Sequence, residues 1–326
     1  MIAMTPPPDY TYASSLLWGG FIIFVLFMLA LDLFVLGGRR AHRVSVREAA
    51  LWSCVWVCLA LLFCALLWWY LVPLIGPELA RAKALDFLTG YVIEKSLSVD
   101  NIFVFLLIFS SVHGAPEHQR RVLLYGVLGA IVLRAILILA GAWIVHEFSW
   151  VLYLFGAFLV VTGMRMLVMA EASPDIEKNP VLRLARRYLR VAEHERSERF
   201  FVLRDGVRYV TPLFLVLILV EASDVIFAVD SIPAIFAITT DPFIVFTSNI
   251  FAIMGLRALY FLLADMADRF HLLKYGLAMV LTFIGAKMLI VPWYHIPTPA
   301  SLAIVAILIL ASITASLFAS RKHHGG

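Results

Sequence analysis

The sequence predicts an all-α, polytopic transmembrane helix bundle of about nine spans, with an inverted repeat of three helices inside it. Three observations carry that prediction. The 326 residues are 63% hydrophobic and only 15% charged, with a mean hydropathy of +0.94, whereas a soluble domain carries about 25% charged residues. Runs of about twenty apolar residues recur along the whole chain, each long enough to cross a bilayer. Two of these runs hold carboxylates at membrane depth, and their patterns match each other in register.

The spans fall at residues 16–36, 49–71, 84–111, 122–144, 150–170, 210–239, 242–264, 272–291 and 300–319. Together they read as one transmembrane domain over residues 1–326, with a loop at 171–208 inserted between the two repeats. The first span has no basic residue before it and Arg39, Arg40, Arg43 and Arg47 just after it. It therefore reads as a retained helix, not a cleaved signal peptide. The same arginines put the first loop in the cytoplasm and the N-terminus outside. That orientation places Arg120, Arg121, Lys274, the arginine-rich segment 183–208 and the tail Arg321 and Lys322 inside, with the C-terminus cytoplasmic. Only Arg81 and Lys83 run against it. The net charge of +4 thus reflects topology; nucleic acid is not an expected partner. Cys54, Cys58 and Cys64 fall in one span without disulfide or zinc spacing, and read as small apolar side chains.

The loop at 171–208 has two parts. PVLRLARRYLRV sets apolar residues at helical spacing among arginines, which suits a short amphipathic helix on an anionic membrane surface. FFVLRDGVRYV alternates around Asp205 and Gly206, a strong hairpin signal.

The acidic runs are GYVIEKSLSVDNIFVFLLIF at 90–109 and LVEASDVIFAVDSIPAIF at 219–236. They carry Glu94 and Asp100 in the first, and Glu221, Asp224 and Asp230 in the second. Five carboxylates at membrane depth cost roughly 12–17 kcal/mol on the insertion scale before any partner is found. Cations, protons or a wet cavity must compensate. Glu94 with Asp100 and Asn101 repeats the spacing of Asp224 with Asp230 and Ser231. Leu133, Arg134 and Ala135 answer Leu256, Arg257 and Ala258, and GMRML at 163–167 answers GAKML at 285–289. Spans three to five and six to eight therefore read as one duplicated unit. Three spans per unit turn the second copy upside down, as in secondary transporters with a site near the midplane.

On a straight helix positions seven apart nearly overlie, and positions six apart lie about 120° apart. Glu94 thus shares a face with Asn101, and Asp224 with Ser231, while Asp100 and Asp230 point elsewhere. Pro233 has no N–H for the carbonyl of Val229, so a kink or unwound turn is expected there, with a weaker irregularity near Asp100. The candidate ligands are all oxygens, and none of the nine histidines lies at a span centre. Such a set suits Mg²⁺, Ca²⁺ or Mn²⁺ over Cu⁺ or Zn²⁺. Protons compete for the same carboxylates, which points to cation–proton exchange by alternating access. Arg134 and Arg257 read as counter-charges to the acids. Lys95 points to another face than Glu94 and snorkels or pairs. Asp32 is an entry ligand or an interfacial carboxylate, and Met164, Met166, Met254, Met279 and Met288 read as packing.

EKSLSVDNIFVF, EASDVIFAVDSIPAIFAIT and DPFIVFTSNIFAIMGLRALYFLL, with the opening LLWGGF and the hairpin FFVLRDG, resemble the TerC family of integral membrane proteins over nearly the whole chain. The resemblance implies a multi-pass protein of the bacterial inner membrane linked to manganese export and, by the family's historical name, to tellurium resistance. It maps the acidic motif onto Glu94, Asp100, Asn101, Glu221, Asp224, Asp230 and Ser231. It also supplies Mn²⁺ where the residues alone stop at a hard divalent cation. The expectation is an exporter and not an enzyme, with no tightly bound cofactor and with the lipid bilayer, the metal ion and protons as partners. The alternatives are a membrane-bound redox modulator, and a tellurium-resistance or stress assembly factor whose basic loop holds soluble proteins. No CxxC, axial histidine or dinucleotide motif supports the redox alternative.

Overall fold

The computed structural model of the chain describes residues 14–35, 46–111, 116–168, 179–192, 199–204, 206–264, 272–294 and 296–323. The helices are α1 (Ser15–Val35), α2 (Val46–Ile75), α3 (Pro77–Ser111), α4 (Pro116–Glu147), α5 (Val151–Val168), α6 (Pro180–Tyr188), α7 (Pro212–Phe236), α8 (Pro242–Met254), α9 (Leu256–Ala264), α10 (Leu273–Ile290) and α11 (Thr298–His323). Strands β1 (Phe201–Arg204) and β2 (Val207–Val210) form a hairpin between α6 and α7. Among the described residues six helices are long and apolar enough to cross a membrane, and seven if the bent pair α8–α9 is one span. The apolar part of α1, Ser15–Leu31, is shorter, and α3 carries Glu94, Lys95 and Asp100 within its run.

The burial pattern is that of a protein in lipid. Large apolar side chains such as Trp69 (71% exposed) and Val161 (65%) face outward, while Glu94 (0%) and Arg134 (1%) are enclosed. Water would reverse that preference. Exposed Trp68, Trp69, Trp143, Trp150, Trp293 and Tyr294 cluster near the ends of α2, α4 and α10 and the start of α5, as an interfacial aromatic belt does. The chain is an integral, multi-pass, all-α membrane protein.

Local chemistry explains the joints. Gly76 takes a left-handed φ of +84° between α2 and α3, and Pro77 then starts α3, the usual glycine stop and proline start. Asp241 caps α8 by accepting from the N–H of Phe243 at 3.0 Å, with Pro242 at the first helical position. Gly206, with a φ of +76°, makes the hairpin turn.

The unwound turn expected at Pro233 is absent. α7 is continuous to Phe236, and the N–H of Ala237 still reaches the Pro233 carbonyl at 3.0 Å. Pro233 lies in the last turn, where one missing N–H disturbs little of the remaining ladder. α3 is likewise helical through Asp100. The break falls instead at Gly255, where α8 and α9 diverge by 40°, glycine being among the known causes of sharp kinks.

α3 packs most on α8, α2 and α7, α4 on α7, and α5 makes the most extensive contact of all with α10. Small residues set that last pair: a side chain at Gly285 would lie 2.6 Å from the Gly156 carbonyl, so the two backbones touch. The amphipathic α6 buries Leu182 among Leu213, Leu215 and Val216 of α7. The hairpin is held by Phe201 against Phe214 (4.8 Å between centroids) and by the Thr211 hydroxyl, which donates to the Arg199 carbonyl at 2.8 Å.

Candidate functional site

Four helices converge on one buried polar cluster. α3 supplies Glu94, Ser98 and Asn101, spaced four and seven apart and so on one face; all three are buried. α7 supplies Asp224 and Ser231 by the same seven-residue spacing, both buried. Asn249 comes from α8, where it and its neighbours Thr247 and Ser248 are 0% exposed. Arg134 of α4 stands among them.

The guanidinium of Arg134 joins all three partner helices. Its Nη1 donates to Glu94 Oε1 in a close ion pair, to Asn249 Oδ1 at 3.1 Å and to Ser231 Oγ at 3.4 Å. Its Nη2 and Nε donate to the two Asp224 oxygens at 3.1 and 3.4 Å. The planar fork of arginine suits such many-sided contact where a lysine would make a point contact. The arithmetic of charge is uneven: two carboxylates face one guanidinium. Glu94 Oε2 is buried and has no hydrogen-bond donor among the described residues, and neither does the hydroxyl of Ser98. Unsatisfied polar atoms at such depth are costly.

Glu221 lies one turn before Asp224 on α7, close enough for the two charges to repel. Its carboxylate packs against the bare backbone of Gly129 on α4, where any side chain would collide with it. Its Oε2 also has no donor among the described residues. Asp230 points away from Arg134 and meets the hydroxyl of Thr162 on α5. Val229 is exposed and Pro233 is buried. Arg257 is buried at the start of α9. The side chains of Asp100 and Asp32 lie outside the described residues.

Sequence reasoning missed three features. Asn249 carried no charge to mark it, although an asparagine inside an apolar span is itself a signal. Gly129 makes room for Glu221 without any motif to announce it. Lys95 meets no acid among the described residues: its ammonium donates to the Ala252 carbonyl at 3.3 Å, in the last turn of α8. There it meets a carbonyl next to the α8–α9 break, at the negative end of the helix dipole.

No group of three or more His, Cys, Asp or Glu side chains is close enough to hold a metal among the described residues. Carboxylate, amide and hydroxyl oxygens are nonetheless the donors a hard cation takes, and Arg134 already shows that the cluster holds a positive charge.

A family model described as "Integral membrane protein TerC family" matches residues 79–324. The chain belongs to the TerC family. It is 55% identical over 313 residues to the "Putative membrane-bound redox modulator Alx" of Escherichia coli (strain K12), covering 96% of this chain and 98% of that protein. It is 50% identical over 305 residues to an uncharacterized membrane protein of Myxococcus xanthus, at 94% and 93% coverage. A Rickettsia bellii membrane protein is 39% identical over 300 residues, at 92% and 96% coverage. No solved structure matches. The TerC match includes every helix from α3 onward, and with them all of the residues around Arg134.

Proposed function

We propose that this TerC-family protein exports a hard divalent cation, Mn²⁺ in preference to others, across the bacterial inner membrane by alternating access with proton exchange. One observation carries the reading: a buried, all-oxygen cluster from α3, α7 and α8 whose carboxylates outnumber its one guanidinium. Glu94, Asp224, Ser231, Asn249 and Asn101 form the centre of the path. Glu221, Asp230 and Asp100 extend it. The protein is a carrier without a resident cofactor and performs no covalent chemistry.

The architecture proposed with it has nine spans, α1 and α3 included, the N-terminus outside, and α3–α5 and α7–α10 as inverted copies. Exchange of the two copies turns the α3–α8 contact into the α7–α4 contact and leaves the α3–α7 and α5–α10 contacts in place. The most extensive pairings between helices of the two copies are of these kinds, whereas α2, outside both copies, also packs extensively on α3. An inverted repeat whose central contact carries the site is the arrangement from which rocking access arises.

The test is total cellular manganese after a Mn²⁺ load, in cells with equal membrane amounts of the native protein or its Glu94→Gln, Asp224→Asn variant. The native protein lowers manganese and the variant does not. Unchanged manganese in both abandons the exporter.

The printed name of the Escherichia coli relative favours a second reading, redox modulation. The chain offers three free thiols for it. Cys54 and Cys58 face outward on α2, and Cys64 is partly buried with its Sγ 3.4 Å from the Ala84 carbonyl. Replacing all three with serine leaves manganese export intact on the first reading and abolishes the phenotype on the second. The assembly-factor reading places the phenotype in α6, so deletion of residues 180–191 abolishes it and the carboxylate variant does not.

A further inference from the structure

Arg134 and a divalent cation compete for the same oxygens. The guanidinium sits where a cation bridging Glu94 and Asp224 has to sit, with Asn249 and Ser231 completing the ring. It is a monovalent charge between two carboxylates, so the cluster keeps one negative charge, and Glu94 Oε2 keeps no donor. A divalent cation neutralises the pair and takes up that oxygen. Arg134 cannot stay beside it: like charges a few ångströms apart in a low-dielectric interior repel strongly. Yet a guanidinium does not deprotonate, so it needs another carboxylate within the membrane.

The chain provides one. Glu221 lies one turn from Asp224 on the same helix, packed on the α4 backbone at Gly129, five residues before Arg134. Those positions are about 7.5 Å apart along the axis of α4 and about 140° apart around it; the guanidinium comes near Glu221 through Asp224, one turn from Glu221 on α7. Glu221 Oε2 is buried and has no donor among the described residues, while the carboxylate itself fills the space that Gly129 leaves.

We propose that Arg134 is a tethered counter-cation that the transported ion displaces from Glu94 and Asp224 onto Glu221. This rests on the export reading above and adds to it a reason for the membrane arginine. In the cargo-free site the arginine holds the acids together, and it is set free only by an ion of higher charge. Selection for divalent over monovalent ions follows, because a monovalent ion gains nothing over the guanidinium it must expel. While the ion sits between Glu94 and Asp224, Glu221 then acts as a receiver and not as one of its ligands.

The experiment is Mn²⁺ binding to the full-length protein in lipid nanodiscs, by calorimetry or by the free-ion electron paramagnetic resonance signal, with no transport required. Arg134→Gln removes the competitor and binds Mn²⁺ about tenfold tighter than the native protein, within the usual range of coupling between sites. Glu221→Gln removes the receiver and weakens binding by a similar factor. In the Arg134→Gln background the Glu221→Gln change has no further effect, because the double-mutant cycle isolates their coupling. Arg134→Lys keeps the buried charge if the glutamine variant does not fold, and binds tighter than native but less tightly than Arg134→Gln.

Equal or weaker Mn²⁺ binding by the arginine variants overturns the displacement. Glu221→Gln weakening binding equally in both backgrounds makes Glu221 a ligand and overturns its role as receiver. If no form of the protein binds Mn²⁺, the export reading falls with it. Binding by the native protein without a gain in the variants removes the displacement alone.

Discussion

Asn249 Oδ1 accepts a hydrogen bond from Arg134 Nη1 at 3.1 Å, while its own amide donates to the Val245 carbonyl at 2.9 Å. The second bond fixes the side chain to its helix, so that its oxygen faces the guanidinium. Hydrogen bonds within membrane bundles average about 0.6 kcal/mol, and a charged partner raises that to about 1.5–3 kcal/mol in proteins generally. Asn249→Leu is therefore expected to cost about 1–2 kcal/mol. Thermal unfolding of the purified protein in detergent measures it. An unchanged midpoint means that Arg134 is held well enough by the acids alone.

The α5–α10 contact makes a sharper prediction. A Cβ at Gly285 would stand 2.6 Å from the Gly156 carbonyl and 2.8 Å from the N atom of Val160. Both obstacles are backbone, which a rotamer change cannot move. Gly285→Val is expected to cost at least about 1–3 kcal/mol, the usual range for overpacking, and to lower the yield of folded protein. Gly19 has nothing within 4 Å of the same position, so Gly19→Val leaves yield and melting unchanged and serves as the control.

How much of this was legible depended on charge and period. The pairing of Glu94 with Asn101 and of Asp224 with Ser231 followed from seven-residue spacing; all four are buried, and Glu94, Asp224 and Ser231 meet Arg134. The divergence of Asp230 followed from six-residue spacing, and its contact is with Thr162 on another helix. The arginine could be seen as a counter-charge, but its partners come from three helices, and no local pattern says which acid a distant arginine meets. Proline is the strongest local breaker, so the sequence points to Pro233 for an irregularity, but the helix there is unbroken and the break is elsewhere. It lies at Gly255, where the carbonyl of Ala252 finds Lys95 157 positions earlier in the chain. That bond is a tertiary fact invisible to periodicity. The hairpin around Gly206 needed only its turn residues, and those are local.

Lys95 supplies the third prediction. Gly255 has no side chain, and a Cβ there would come within 2.5 Å of the Lys95 ammonium and 3.2 Å of Trp56. Lys95→Met keeps the length and apolar stem but leaves the Ala252 carbonyl without this donor. An abandoned buried acceptor costs about 1–3 kcal/mol. The loss should also be local, so hydrogen exchange is expected to rise at the α8–α9 break and not in the α5–α10 pair. Uniform exchange throughout the bundle would contradict a role confined to the bend.

The start of α8 separates two effects that one residue combines. Asp241 caps the helix through the Phe243 N–H at 3.0 Å and pairs with Lys83 of α3 at 3.2 Å. The lysine is 24% exposed, so solvent screens the pair and its worth is about 0–1 kcal/mol. The cap is worth about 0.5–2 kcal/mol. Asp241→Asn retains a capping oxygen and loses the charge, whereas Asp241→Ala loses both. The alanine variant is therefore expected to melt clearly below the asparagine variant, which stays near the native protein. Added salt should narrow the gap between native and asparagine forms without changing the step from asparagine to alanine, since screening acts on the ion pair and hardly on the cap. Two equal losses would mean that the ion pair to α3, and not the cap, holds this end of α8.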